Sequence, residues 1–121
     1  MRRLIAIAVA SLLGAATVAH AADPVDQPAA KKEGKVVWYT STPITQAQQI
    51  AKLFEAKTGI KVELFRSGGS AVLNRFMQET GAGRFAVDVM TTSDPAASAA
   101  LTKKGMFIPF KPENFEKIPD A

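Results

Sequence analysis

Three short segments gather the groups that could hold a ligand: Thr40-Ser41-Thr42, Ser67-Gly68-Gly69-Ser70 and Thr91-Thr92-Ser93. Each is rich in hydroxyls, and each stands directly before a stretch patterned as a helix. Serine and threonine hydroxyls beside the N–H groups of a helix start form a neutral cradle for an anion or a polar ligand. The same residue types also cap helices, and Gly68-Gly69 also makes a turn. For any one segment, capping is the simpler reading. Three such segments on one edge of a sheet favour a binding site, and capping and binding are compatible.

The sequence offers little for catalysis. Its one histidine, His20, lies in a leader expected to be removed, so no Ser-His constellation forms. The absence of cysteine excludes a thiol nucleophile and Cys-based zinc sites. Asp88 and Asp94 are the carboxylates nearest the hydroxyl segments, but Asp94 before Pro95 reads as a helix cap and Asp88 belongs near a strand end. Ser67-Gly68-Gly69-Ser70 lacks the Gly-Lys-Ser/Thr ending of a phosphate-binding P-loop. Trp38 and Tyr39 read as strand residues rather than a stacking platform, and Lys103-Lys104 as a solvated helix end. The expectation is a protein that is not an enzyme, with no cofactor and no dedicated metal ligands.

The elements that would position the hydroxyl segments follow from periodicity. Lys35 to Thr40 is β-branched and aromatic and apolar on both faces, the pattern of a central strand buried in a parallel sheet. Pro43 opens a helix that Ser41 or Thr42 could cap, with Ile44, Ala47, Ile50, Ala51 and Phe54 on one face. Gly59 ends it where a left-handed residue is wanted, and Ile60, Val62 and Leu64 alternate with charges as a second strand. A helix carrying Val72, Leu73, Phe76 and Met77 follows, stopped by Gly81-Ala82-Gly83. Val87 to Met90 gives a third strand, and a last helix runs from Ala96 to Lys104. This β-α-β-α-β order predicts an α/β lobe with at least three parallel strands and right-handed crossovers. In such sheets ligands gather beyond the carboxyl ends of the strands, where the three hydroxyl segments fall.

Met1-Arg2-Arg3, the apolar run Leu4 to Val18 and the small residues of Ala19-His20-Ala21 have the three-part form of a cleavable signal peptide over residues 1–21. The run of about 15 residues is short of the roughly 20 needed to cross a bilayer. Residues 22–32 read as a flexible leader, and residues 33–121 as the folded part. Losing Arg2 and Arg3 lowers the formal net charge from +4 to +2, with the bases scattered, which argues against a nucleic-acid partner. Export without cysteine points to a periplasm.

Further motifs carry a resemblance. After the signal peptide come Gly34-Lys35-Val36-Val37-Trp38-Tyr39-Thr40-Ser41, then Phe54-Glu55-Ala56-Lys57-Thr58-Gly59-Ile60-Lys61-Val62 and Arg66-Ser67-Gly68-Gly69-Ser70. Gly83-Arg84-Phe85-Ala86-Val87-Asp88-Val89 and Lys104-Gly105-Met106-Phe107-Ile108-Pro109-Phe110 complete the series. In order and spacing the chain resembles periplasmic solute-binding proteins of bacterial ABC importers, and is most similar to the ferric-iron, phosphonate, thiamine and polyamine group. The resemblance implies a three-layer, parallel-sheet lobe of the type II fold, here incomplete, as the amino-terminal part of lobe 1. It implies two lobes that close on a small-molecule or ion solute and deliver it to an inner-membrane ABC permease. By position, Thr40, Ser41 and Thr42, then Ser67, Gly68, Gly69 and Ser70, then Thr92 and Ser93 would line the cleft. The resemblance departs in two respects. Iron-binding members often carry a His or Tyr after the first strand, where this chain has Thr42-Pro43-Ile44, and members of the group are much longer. A small secreted α/β hydrolase and a nonfunctional truncated remnant are the alternatives.

The leader reading makes a direct prediction. Mass spectrometry of the exported protein is expected to find Ala22 at the amino terminus; an intact Met1 contradicts it.

Overall fold

The computed structural model describes residues 23–119; the signal-peptide assignment of residues 1–21 lies outside them. Residues 24–110 form one compact unit. Asp23 and residues 111–119 belong to another, in which Asp23 donates its N–H to the Lys111 carbonyl and accepts the Lys111 N–H with its carboxylate, and Phe115–Lys117 makes a turn of 3-10 helix.

The first element of the larger unit lies mostly within the residues read as a leader. Gln27–Glu33 is a helix, α1. The Asp26 carboxylate accepts the Ala29 N–H at 2.9 Å, a proline sits in the first turn, and Gly34 closes the helix at φ +75°. An Asp cap, an early proline and a run of Ala and Lys are sufficient local signals for a short helix.

The strands and helices then follow as β1 (Lys35–Thr40), α2 (Ile44–Thr58), β2 (Lys61–Arg66), α3 (Gly69–Gly81), β3 (Val89–Thr91) and α4 (Pro95–Lys103). The sheet is parallel in the order β2-β1-β3, with Lys35 opposite Lys61, and Trp38 and Thr40 opposite Val89 and Thr91. The chain steps from β1 to one side and then across it to the other. Two right-handed crossovers in opposite directions set α2 and α3 on opposite faces. Side-chain alternation agrees: Val36 and Trp38 line a surface with Ile50, Ala51 and Phe54 of α2, whereas Val37 and Tyr39 line one with Arg75 and Glu79 of α3.

Three local differences from the sequence expectation have physical causes. Pro43 is the N-cap of α2 rather than its first helical residue, and no side chain caps it. On α2 only Ala47 and Ala51 are buried, while Ile44, Ile50 and Phe54 are 46, 51 and 39% exposed. The helix meets the sheet along its alanines, which leaves the larger residues on the flanks. Finally, β3 begins at Val89, not Val87. Asp88 donates its N–H to the Val37 carbonyl (3.0 Å) and takes the Val37 N–H with its own carboxylate (2.8 Å), so its side chain stands in for a ladder bond and ends the strand.

On the other face a polar clasp fixes α3. The Tyr39 hydroxyl donates to Glu79 at 2.9 Å, and Arg75 Nε donates to the same carboxylate at 3.0 Å. The Arg75 guanidinium lies 4.2 Å from the Phe65 ring centroid and 4.9 Å from that of Tyr39. Tyr39 is only 3% exposed, and burial followed by the bond to Glu79 raises its hydroxyl pKa. The Tyr39 hydroxyl, and after it Arg75, holds the Glu79 carboxyl below its ordinary value. Beneath the clasp runs an open trough of about 960 Å³, floored by Val37, Tyr39 and Phe65 and rimmed by charged residues.

Two stability measurements check this account. Val72 is fully buried on α3, so Val72→Ala is expected to lower the unfolding free energy by about 2 kcal/mol in urea titration. Because Glu79 has a depressed pKa in the folded state, its contribution is complete above the ordinary value of 4.5 and is lost as pH falls through the lower folded value. Thermal melts across that acid range are expected to fall less steeply for Glu79→Gln than for the parent protein.

Candidate functional site

Thr40 and Thr91 end the paired part of β1 and β3, and their hydroxyls are 2.6 Å apart. Thr91 Oγ1 also accepts the Trp38 indole N–H at 3.1 Å, and Thr40 Oγ1 accepts the Thr42 N–H at 2.9 Å. Thr40 is completely buried. With its hydroxyl held by these partners, it lies beneath the sheet edge.

The loops beyond the strands are tied to one another. Ser41 N–H donates to the Thr91 carbonyl (3.1 Å), and Ser67 N–H to the Thr40 carbonyl (3.1 Å). The Ser93 N–H donates to Ser41 Oγ at 3.0 Å. Gly69, the first residue of α3, runs close to the third loop: a β-carbon built there would stand 3.3 Å from Thr92 Oγ1 and 3.6 Å from Ser93 Oγ. A larger residue there would need the Thr92 hydroxyl to give by a few tenths of an ångström, while Ser93 Oγ would stand at ordinary contact distance. The three segments singled out in the sequence thus meet at one edge. Ser41, Gly69, Thr92 and Ser93 come together directly, while Ser67, Gly68, Ser70 and Thr42 flank them on the first two loops.

The helix starts at this edge differ in what they leave open. The first N–H groups of any helix have no partner within it. Neither Pro43 before α2 nor Gly68 before α3 supplies a side-chain cap. Asp94 does cap α4, its carboxylate accepting the Ala97 N–H at 3.0 Å, and its own N–H donates to Thr92 Oγ1 at 3.2 Å. Two of the three helix starts therefore present donors and the positive end of a helix dipole, and the third is closed by an acid. Ser41 or Thr42 was expected to cap α2. Ser41 instead accepts the Ser93 N–H from across the edge, and α2 is left uncapped.

One contributor was not among the sequence candidates. Arg66, the last residue of β2, donates from Nε to the Thr42 carbonyl at 3.1 Å and brings a cation to the edge. Its signal was available, as a charged residue directly before the Ser67 turn. Thr91 was seen only as part of a hydroxyl run, and its partnership with Trp38 and Thr40 needed the strand register. Together the edge presents neutral hydroxyls, helix N–H groups and one guanidinium, a donor set suited to an anion or a polar, electron-rich solute.

No family model matches this sequence, and no curated protein matches it. Among solved structures, the crystal structure of iron-bound HitA from Pseudomonas aeruginosa matches with a TM-score of 0.61 and 22% sequence identity. The match covers 70% of this chain and 27% of that one, so the chain spans about a quarter of the length of its structural neighbour. At this identity the likeness is one of fold: an α/β unit with a three-stranded parallel sheet.

The edge geometry has a direct check. Ser41→Ala removes the acceptor of the Ser93 N–H, a partly exposed bond worth at most about 1 kcal/mol. The Ser93 amide is expected to exchange with solvent faster in this variant, measured by NMR, while the Val72 amide in the α3 core keeps its protection.

Proposed function

We propose that this chain is the amino-terminal part of an extracytoplasmic solute-binding protein that captures a small solute for an ABC importer. The observation that carries the proposal is the convergence of Ser41, Gly69, Thr92 and Ser93 at the carboxyl edge of the sheet, beside two uncapped helix starts. Open α/β sheets bind ligands at this place. Likeness of fold to iron-bound HitA supports the same reading and makes ferric iron one candidate solute. The donor set favours an anion, a phosphate-bearing compound or another polar organic solute, or iron presented with an anionic companion, over a bare cation. In this proposal Ser41, Thr42, Ser67, Ser70 and Ser93, with the N–H groups of Gly68 and Gly69, meet the solute. Thr40 and Thr92 hold the edge in shape. A second lobe closes over the solute, and an inner-membrane permease receives it on the periplasmic side.

The test uses the chain itself with inorganic phosphate and with gallium(III) citrate, a diamagnetic substitute for the ferric complex. A solute held by one wall stays half hydrated, so binding is expected in the millimolar range. NMR shift changes are expected at the amides of residues 41, 42, 44, 68–71 and 92–93. Ser67→Ala and Ser70→Ala are each expected to weaken binding about fivefold, the equivalent of roughly 1 kcal/mol for one neutral hydrogen bond. Shifts confined to another surface, or no shifts with either probe, overturn the assignment.

A further inference from the structure

We draw no further inference here: the strongest candidate, the apolar groove of about 350 Å³ between α2 and the edge strand β3, lined by Trp38, Ile50, Phe54 and Val89, carries nothing because nothing in the structure shows what covers it.

Discussion

The hydroxyl pair of Thr40 and Thr91 is the interaction on which the candidate site depends. It sits where two parallel strands end and ties those ends together. Thr40 is fully buried whereas Thr91 is exposed, and a buried hydroxyl is tolerable only if its hydrogen bonds are made. Here Thr91 and the Thr42 N–H make them for Thr40, and the Trp38 indole N–H holds Thr91 in turn. The next bonds follow in order: Ser41 to Thr91, Ser67 to Thr40, and Ser93 to Ser41. A site of loops is thereby built on strand ends that are tied to one another.

The helices are aimed at that edge by different means. Alpha-2 lies on its face of the sheet through Ala47 and Ala51, whose small size brings helix and strands close. Alpha-3 is held by Val72 and Phe76 and by the Tyr39–Glu79–Arg75 clasp, which grips the helix beyond its first turn and leaves that turn open. Gly69 lets the start of α3 approach Thr92 and Ser93. Parallel sheets are normally covered on both faces. This one retains the groove beside β3 and the trough beneath α3, with Ile50, Leu53 and Val89 substantially exposed.

Much of this was legible in the sequence because the signals were local. The β1 run of Lys35 to Thr40, the left-handed Gly59 and the Asp94-Pro95 helix start are each determined by a few neighbouring residues, and each appears where expected, whereas the turn read at residues 67–70 is an extended Gly68 followed directly by the helix at Gly69. What depended on distant partners was not legible. Asp88 shortens β3 through a bond to Val37, about fifty residues earlier in the chain. Ser41 is drawn from capping α2 by the Ser93 N–H, which only the strand register brings near. Ile50 and Phe54 were expected inside from helical periodicity alone, but burial also requires a neighbour on that side. The helix at residues 27–33 was missed for another reason: its Pro- and Ala-rich composition masked an Asp cap three residues before Ala29.

If the hydroxyl pair governs the edge, removing one hydroxyl while keeping the side-chain shape should loosen all three loops together. Amide hydrogen exchange of Thr91→Val tests this most directly. The account predicts faster exchange at Ser41, Ser67 and Ser93 in concert, with Val72 and Phe76 in the α3 core unaffected. Unchanged protection at those three serines would contradict it, because the loops would then be held without the bond between Thr40 and Thr91.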